Sequence, residues 1–480
     1  MEHIHFIGIG GIGMSGIAQI LLSKGYAVSG SDLKKSHITE RLEQQGADIF
    51  YSHKASNIEN ADTVVISSAI SEKNPELMEA RAKKLNIMQR AQMLSFLMQN
   101  QIGIAISGTH GKTTTTSMIA YVMHACKMDP TTIIGGELGA ISSNASSGKG
   151  NYLVAEADES DASFLHLSPK YAIITNIDSD VNLNTEPYLS SKHNYNLLMK
   201  TVSNVFLNFT NKVDKDGSVI LCTDSEYVRK ILPSVTRRYL TYGINHDADL
   251  RAVDIKLKNF SSTSRIYCKH EFLGELKLKV PGRHNIQNAL ACIAMCLEIG
   301  LDFESVSCAL SSFCGLKRRF EVLGTANGIT IVDDYAHNPS KLRAAMHAAK
   351  TGNAKRVIAV FQPHRYSRTE FLLHELSEAF FEADKLAVMD IYSAGEKINP
   401  KISGKDLAIL IKEKSPNVDV TYLPKHEEVI NWLNQETENG DLVITLGAGD
   451  VCDISGYFYS ELSVASLIDT AHVILPSPIE

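Results

Sequence analysis

One stretch of this 480-residue chain has the residue types needed to hold a triphosphate. In Ile102–Ser117, IGIAISGTHGKTTTTS, an apolar run is followed by a glycine turn and then by a threonine-rich segment. This order predicts a strand, a loop and a helix, which together point backbone N–H groups and a helix N-terminus at an anion. The turn is a shortened variant of the Walker A pattern, because Ile106 stands where the general pattern has a glycine. We therefore predict a nucleoside triphosphate site.

Two side chains of this turn suit the triphosphate and its metal ion. The ammonium of Lys112 would reach the β- and γ-phosphates, and the hydroxyl of Thr113 would bind Mg²⁺. An acidic stretch, YLVAEADESDASF at Tyr152–Phe164, follows a second predicted strand, and Glu156 lies nearest to the end of that strand. In phosphate-loop proteins an acid in this place holds Mg²⁺, so Glu156 is the predicted ligand. A solvated acidic loop is the alternative interpretation.

A second glycine turn opens the chain. Gly8, Gly10 and Gly13 form a GxGxxG pattern after a predicted strand, and the segment Ile17–Lys24 continues as a predicted helix. Asp32 ends the next predicted strand, roughly twenty residues further on, where it would bond a sugar hydroxyl. The pattern suits a nucleotide diphosphate, and a NAD site is one interpretation of it.

Polar residues also gather in the second half of the chain. Arg365 and Arg368 follow the predicted strand Arg356–Phe361, at the strand end where open α/β sheets bind ligands. Paired guanidinium groups suit a carboxylate, although two solvated surface arginines would show the same spacing. Asn285 and Asn288 face the same way at a predicted helix start, where their amides would contact an adenine edge or cap the helix.

Composition places these sites in a globular chain of two or three domains. The chain is 44% hydrophobic and 21% charged, and its length exceeds one ordinary core. A net charge of −7 gives no indication of a nucleic-acid partner. No apolar run reaches the length of a membrane span and the N-terminus lacks signal-peptide features, so we expect a cytoplasmic protein without a membrane partner. The eight cysteines form no CxxC pair, which favours free thiols over a zinc site.

Strand and helix patterns alternate through most of the chain, which predicts α/β domains with mostly parallel sheets. Alternating patterns at Ser264–Cys268 and Glu275–Val280 predict antiparallel strands as well. We expect a Rossmann-like N-terminal domain at 1–100, a central phosphate-loop domain at 101–312 and a Rossmann-like C-terminal domain at 313–480.

Taken together, eight stretches of the chain resemble the Mur ligases of peptidoglycan synthesis. In chain order they are GIGGIGMSGIA, GTHGKTTT, EADESDASF, GRHNIQNALA, LKRRFE, DDYAHNP, FQPHRYSRT and LGAGDV. Within the family they most resemble the branch that attaches the first amino acid of the stem peptide. The resemblance implies an ATP- and Mg²⁺-dependent ligase that joins the lactyl carboxylate of UDP-N-acetylmuramate to L-alanine through an acyl phosphate. It also implies three domains, which bind the UDP-sugar, ATP and the amino acid, in a monomer or homodimer.

The same resemblance assigns residues to each ligand. The UDP-sugar set is Gly8, Gly10, Gly11, Gly13, Met14, Ser15, Asp32 and Ser68. The ATP set is Gly108, Thr109, His110, Gly111, Lys112, Thr113, Thr114, His284, Asn285, Asn288, Arg319 and Asp334, with Mg²⁺ on Thr113 and Glu156. The amino-acid set is Tyr335, His337, Arg365 and Arg368. The catalytic set is Lys112, Glu156, His337, Arg365 and Arg368.

Two positions depart from the family pattern. Val181 stands where the family has a histidine that helps to hold a second Mg²⁺, and His193 is the candidate substitute. Asn338 stands where this branch commonly has a second histidine. Two alternatives therefore stay open: a sibling ligase that attaches a preformed peptide and a non-catalytic relic that binds the UDP-sugar. The first GxGxxG pattern leaves a third alternative, an NAD-dependent dehydrogenase.

Overall fold

The computed structural model describes residues 3–138, 143–179 and 194–473. Val181 and His193 lie outside the described residues. The chain forms two compact units, of which the first holds residues 1–255, 263–278 and 284–313. The second unit holds residues 256–262, 279–283 and 314–480. Three sheets run through these units, and each is mostly parallel, as the sequence predicts.

The N-terminal sheet has the strand order β3-β2-β1-β4-β5, and its neighbouring strands are parallel. Its elements are β1 (His3–Ile7), α1 (Ile12–Ser23), β2 (Ala27–Ser31), α2 (His37–Gln44), β3 (Asp48–Phe50), β4 (Thr63–Ile66), α3 (Pro75–Ala82), β5 (Asn86–Gln89) and α4 (Arg90–Met98). The strand order reverses between β1 and β4, and ligands of open α/β sheets bind at such a switch point.

The first helix begins earlier than the sequence predicts. We expected a helix from Ile17, because glycines are poor helix formers, but α1 begins at Ile12 and includes Gly13 and Gly16. A Cβ atom on Gly16 would lie within 3.4 Å of side-chain atoms of Asn144 and Ala145. Tertiary packing therefore requires small residues in this helix and overrides their low propensity.

The central sheet has the order β15-β14-β13-β12-β11-β10-β6-β9-β7-β8. Its strands are β6 (Ile102–Ser107), β7 (Thr131–Leu138), β8 (Ser143–Ser146), β9 (Tyr152–Glu156), β10 (Tyr171–Ile174), β11 (Ser218–Cys222), β12 (Tyr239–Gly243), β13 (Leu250–Lys258), β14 (Ser261–Cys268) and β15 (Glu271–Leu278). Its helices are α5 (Lys112–Ala125), α6 (Tyr195–Thr210), α7 (Glu226–Ile231), α8 (Arg283–Glu298) and α9 (Phe303–Ser311). The parallel strands β9 and β10 flank β6, so the loops that follow all three strands lie at one sheet edge.

The C-terminal sheet has the order β16-β17-β21-β18-β19-β20, in which only β16 is antiparallel to its neighbour. Its strands are β16 (Glu321–Ala326), β17 (Ile329–Asp334), β18 (Val357–Phe361), β19 (Lys385–Val388), β20 (Asp419–Tyr422) and β21 (Leu442–Leu446). Its helices are α10 (Pro339–Lys350), α11 (Tyr366–Phe371), α12 (Leu373–Ser377), α13 (Gly404–Lys414), α14 (His426–Glu436) and α15 (Cys452–Val473).

Four strands of the three sheets are buried along their whole length. Every residue of β4 (TVVI), β10 (YAII), β18 (VIAVF) and β21 (LVITL) is buried. Continuous burial is typical of parallel strands that are covered by helices on both faces. No helix in the described part of the chain is long and apolar enough to cross a membrane. All eight cysteines are free thiols, as the sequence predicts.

A buried carboxylate joins several elements of the N-terminal sheet through hydrogen bonds. Glu76, in α3, is fully buried and accepts hydrogen bonds from Ser31 Oγ at 2.7 Å and from Asn57 Nδ2 at 2.6 Å. His53 Nδ1 lies 2.8 Å and His5 Nε2 3.6 Å from the same carboxylate. Burial opposes the charge, but these hydrogen bonds hold the pKa of Glu76 below its ordinary value. The network therefore joins four separate segments of the domain through one ionised side chain.

We expect Glu76→Ala to loosen β1 and β2, because truncation leaves the buried hydrogen-bond donors around it without an acceptor. The opening free energy of those strands should fall by about 3 kcal/mol, measured by hydrogen exchange of their amides. Glu79→Ala in the same helix is the control, since Glu79 makes only a partly exposed pair with Lys83 at 3.5 Å. That variant should lose less than about 0.5 kcal/mol, and equal effects of the two changes would contradict the role of Glu76.

Candidate active site

The turn between β6 and α5 depends on two glycines. Gly108 and Gly111 both have positive φ angles, of 132° and 82°. A Cβ atom on Gly108 would lie 2.1 Å from Thr175 Oγ1, and one on Gly111 would lie 2.6 Å from Asn288 Oδ1. Backbone conformation and lack of space therefore both exclude a side chain at these positions. Their presence leaves the N-terminus of α5 open to an anion.

The segment after β10 holds this turn in shape. Thr109 N donates to Asn176 O at 3.2 Å, and His110 N donates to Asn176 Oδ1 at 2.8 Å. Asn176 Nδ2 and Thr175 Oγ1 both donate to His110 O, and Asp178 N donates to Thr109 Oγ1. The backbone of the phosphate loop is thus fixed by side chains from a neighbouring strand end. Thr109 and His110, which we predicted as ATP contacts, also take part in this support.

Lys112 lies in the turn with its ammonium paired to an acid. Its Nζ donates to Gly108 O at 2.6 Å and lies 2.9 Å and 2.7 Å from the two carboxylate oxygens of Glu159. Burial disfavours the charged ammonium, but Glu159 and Glu156 raise the pKa of Lys112 above its ordinary value. Burial raises the pKa of Glu159 to about 7. No sequence pattern singled out Glu159 as the partner of Lys112, although a run of four carboxylates required a cation near one of them.

Thr113 and Glu156 come together as the sequence analysis expected of Mg²⁺ ligands. Thr113 Oγ1 donates to Glu156 Oε1 at 2.9 Å, and Gly135 N donates to Glu156 Oε2 at 2.5 Å. In the described part of the chain, no three His, Cys, Asp or Glu residues converge as a metal site. Mg²⁺ in phosphate-loop proteins takes few protein oxygens and completes its shell with phosphates and water. A hydroxyl and a carboxylate side by side therefore fit a Mg²⁺ ion that arrives with a nucleotide.

The asparagines of α8 support the phosphate loop from behind. Thr115 Oγ1 donates to Asn288 Oδ1 at 3.2 Å, and Asn288 Nδ2 donates to Asn285 Oδ1 at 3.1 Å. Both asparagines are buried, whereas His284 is exposed and Thr114 is partly exposed. The helix-capping interpretation is wrong, because α8 begins at Arg283 and the asparagines lie inside it.

The N-terminal glycine turn is also closed by its own carboxylate. Gly10 N donates to Asp32 Oδ2 at 2.9 Å, and Leu33 N donates to Asp32 Oδ1 at 2.7 Å. Gly8 has a φ of 80°, and a Cβ atom on Gly10 would lie 2.7 Å from Asp32 Oδ2. Lys34 N donates to Asp32 Oδ1 as well, at 3.5 Å. Asp32 thus holds the turn in place, and its Oδ2 can accept from a further donor.

Two predicted UDP-sugar residues point inward instead. Met14 and Ser15 are buried, and Ser15 Oγ donates to Ile12 O within α1. Their side chains therefore do not line a ligand surface, since the helix packs this face against the core, and only their backbone remains available. Gly11 and Ser68 are exposed, and Ser68 follows β4, the strand beside β1.

An arginine that the sequence did not single out lies over the same turn. A Cβ atom on Gly13 would lie 3.2 Å from Cδ and from Nη1 of Arg90, so the guanidinium covers the first turn of α1. Arg90 Nη2 also lies 3.5 Å from Asp158 Oδ2 in the acidic stretch after β9. No sequence pattern pointed to Arg90, because it opens α4 more than 70 residues after the turn that it covers.

In the second compact unit, predicted ATP residues lie at the end of β17. Asp334 accepts hydrogen bonds from Phe320 N at 2.8 Å and from Ala336 N at 2.7 Å. Burial raises the pKa of Asp334 to about 6, against the opposing effect of Arg319. The guanidinium of Arg319 lies 5.3 Å from the ring centre of Tyr335, a cation–π geometry.

Two histidines lie beside these residues. His337 Nδ1 lies 2.9 Å from Tyr335 O, to which it can only donate, so a neutral His337 keeps a lone pair on Nε2. Burial lowers the pKa of His337 well below its ordinary value, and the charges of Lys341 and Arg368 add to this effect. The ring centre of His364, which the sequence analysis did not single out, lies 5.8 Å from that of His337.

The two predicted carboxylate-binding arginines differ in their surroundings. Arg368 Nη1 lies 3.2 Å from His364 Nδ1, at the end of β18. Arg365 has a φ of 69°, its side chain is half exposed, and its Nη1 lies 4.0 Å from Glu396 Oε1. Asn338 accepts a hydrogen bond from Lys341 N and caps α10, so a structural role explains the asparagine at that position.

Family models match all three parts of the chain. The model of the Mur ligase family, catalytic domain, matches residues 3–102, that of the Mur ligase middle domain matches residues 106–296, and that of the Mur ligase, glutamate ligase domain matches residues 318–449. The chain belongs to the Mur ligase family.

Relatives of this Mur ligase include a named enzyme and two solved structures. The chain is 46% identical over 451 residues to the UDP-N-acetylmuramate–L-alanine ligase of Geotalea daltonii, covering 94% of this chain and 96% of that one. The crystal structure of the UDP-N-acetylmuramate–alanine ligase of Thermotoga maritima matches with a TM-score of 0.80 and 28% identity, covering 97% and 100% of the two chains. A murein peptide ligase from Psychrobacter arcticus matches in fold with a TM-score of 0.68, 23% identity and coverage of 96% and 99%.

We expect Gly111→Ala in this Mur ligase to weaken nucleotide binding by at least about tenfold, because alanine resists a φ of 82° and collides with Asn288. The dissociation constant for ATP in the presence of Mg²⁺ measures this effect. Gly456→Ala is the control, since a Cβ atom there meets nothing within 4 Å. Unchanged binding by Gly111→Ala would contradict the assignment of this turn to phosphate.

Proposed function

We propose that this Mur ligase joins the lactyl carboxylate of UDP-N-acetylmuramate to the amine of L-alanine and drives the reaction with ATP, as a step of peptidoglycan synthesis. One observation carries the proposal. The ammonium of Lys112 and the Thr113–Glu156 pair stand together at the N-terminus of α5, in a chain 46% identical to a ligase of that name. Such an arrangement serves phosphoryl transfer, which depends on positioning and on stabilisation of charge.

The first half-reaction would activate the sugar acid. Its carboxylate attacks the γ-phosphorus in line, ADP leaves, and an acyl phosphate forms. Lys112 would exchange Glu159 for the phosphate oxygens, and the N–H groups of the turn would bind them as well. Thr113 and Glu156 would hold Mg²⁺, which would supply positive charge near the transferring phosphoryl group.

The nucleoside of ATP has a candidate position beside the phosphate loop. A cleft of about 330 Å³ opens there, and its lining includes His110, Asp178 and Gln287. Because the cleft continues from the loop that would hold the phosphates, it suits the base and ribose of the same nucleotide. The buried amides of Asn285 and Asn288 support the loop instead of facing a base, so we propose an indirect role for them in ATP binding.

The second half-reaction would use the C-terminal residues. The guanidinium groups of Arg368 and Arg365 would bind the carboxylate of L-alanine and fix its orientation. The free lone pair on Nε2 of neutral His337 would orient the amine or accept a proton from it as it attacks the acyl carbon, and phosphate then leaves.

The organisation of the chain follows from this function. We propose a UDP-sugar domain at 1–100, with the diphosphate at the turn of Gly8–Gly13, an ATP domain at 101–312 and an amino-acid domain at 313–480. We also propose that the protein is a cytoplasmic monomer or homodimer with no nucleic-acid or membrane partner. A dehydrogenase would leave the phosphate loop without a use.

Phosphate release from ATP tests the proposal directly. We expect release to require both UDP-N-acetylmuramate and L-alanine, with lower rates for glycine, serine, glutamate or a preformed tripeptide. Lys112→Ala should lower kcat by about 10²–10³-fold, because a charge at the transferring phosphoryl group is lost. Lys200→Ala, on an exposed position of α6, should keep the activity. Release that depends on no amino acid would reject a ligase, and a preference for the tripeptide would favour the sibling ligase.

The carboxylate role of Arg368 has its own test. Arg368→Gln should raise the KM for L-alanine about 10- to 100-fold, because a charge-assisted hydrogen bond is lost, while the KM for ATP stays unchanged. L-Alaninamide, which lacks the carboxylate, should be a poor substrate of the unaltered enzyme, and the difference between the two substrates should narrow in the variant. Arg343→Gln, an exposed arginine of α10, is the control. If Arg368→Gln prefers L-alanine over L-alaninamide as strongly as the unaltered enzyme does, the carboxylate role of Arg368 is contradicted.

A further inference from the structure

Two adjacent carboxylates after β9 pair with cations that lie at two different glycine turns. Asp158 lies 3.5 Å from the guanidinium of Arg90, which covers the N-terminal glycine turn. Its neighbour Glu159 lies 2.7 Å from the ammonium of Lys112, in the phosphate loop. The two turns belong to different sheets. Because Asp158 and Glu159 are joined by one peptide bond, residues 158–159 connect the ion pairs at both turns.

The link is held between fixed points. Ala157 N donates to Ile106 O at 2.9 Å, which ties the start of the segment to β6. At its other end Ala162 N donates to Glu159 O at 3.1 Å, and Ala162 has a φ of 58°. If Glu159 moves, Asp158 must move as well, because only a few residues lie between Ala157 and Ala162 and they cannot take up the displacement.

Each cation would face a competing anion during the reaction. A triphosphate in the phosphate loop competes with Glu159 for Lys112, and a diphosphate over α1 competes with Asp158 for Arg90. Glu159 is 2% exposed, so loss of the Lys112 ammonium takes the closest counter-charge from a buried carboxylate and favours a rearrangement of the segment. That rearrangement would withdraw Asp158 from Arg90 and free the guanidinium for the second ligand.

We propose that Asp158 and Glu159 couple the two nucleotide sites, so that occupation of either site by its phosphate ligand releases the cation of the other and tightens the binding of the second ligand. Arg90 and Asp158 are then positioning residues of the ligase. This inference rests on the proposed function, because it takes ATP and UDP-N-acetylmuramate as the two ligands. Coupling free energies of this kind are reciprocal, so either ligand can serve as the probe.

A simple structural contact between the first two domains is the competing explanation for the Arg90–Asp158 pair. The same domains are also joined by Arg41 Nη2, which donates to Asn144 Oδ1 at 2.8 Å, and by Asn144 Nδ2, which donates to Ile12 O at 2.6 Å. Arg41→Gln therefore removes an arginine contact between the same domains without touching residues 158–159, and it is the matched control.

The experiment measures the coupling with a non-hydrolysable ATP analogue and Mg²⁺ by calorimetry. The dissociation constant of the analogue is determined with and without saturating UDP-N-acetylmuramate, in the absence of amino acid. In the unaltered enzyme we expect the sugar nucleotide to tighten the analogue about tenfold. Asp158→Asn and Arg90→Gln should reduce that ratio below about twofold, Arg90→Lys should retain part of it, and Arg41→Gln should leave it unchanged. Asp158→Asn keeps an acceptor for Ser160 N, so it removes the charge and preserves the turn.

The outcomes separate the coupling from the proposed function. A ratio of one in the unaltered enzyme overturns the coupling, and so does an equal ratio in all variants. Weaker sugar-nucleotide binding by Arg90→Gln with an unchanged ratio also overturns it, because Arg90 would then act only as a direct contact. An unaltered enzyme that does not bind UDP-N-acetylmuramate at all contradicts the proposed function itself.

Discussion

A charged ammonium held inside a glycine turn is the constraint on which the rest of this structure depends. Lys112 needs carboxylates around it, because burial alone would make its charge unfavourable, and Glu159 provides the closest one. Both charges are tolerable only while they are paired. In the proposed function a phosphate ligand would replace Glu159 on Lys112, because it offers Lys112 more negative charge than a single carboxylate does. The contact that stabilises the charged turn would then be the one that the ligand exchanges.

The sheets bring the remaining groups to this contact. β6, β9 and β10 are parallel neighbours, so the phosphate loop, the acidic segment and the segment that braces the loop all emerge at the same edge. The C-terminal sheet is arranged in the same way. Its strands β17 and β18 lie on either side of β21, and the segments that follow them contain His337 and Arg368. Parallel strands favour such sites because every carboxyl end lies on one side of the sheet.

Several polar residues of the predicted sites also support the backbone around them. Asp32 closes its own glycine turn, and Asn288 fills the space behind Gly111. Arg318, the neighbour of the predicted ligand Arg319, pairs with Asp333 at 3.2 Å and donates to Gly447 O at 2.8 Å. Such supports fix the backbone of a binding site, and they explain why glycines next to them tolerate no side chain.

The sequence by itself determined the mostly parallel α/β sheets and the phosphate loop, because apolar strands and glycine turns are local patterns of a few residues. It also predicted that Thr113 and Glu156 lie together, since both residues follow strand ends. Only the tertiary structure decided the start of α1, the inward orientation of Met14 and Ser15, and the pairing of Arg90 with Asp158. These features depend on groups distant in the chain that compete for the same space or charge, and no local pattern records which of them meet.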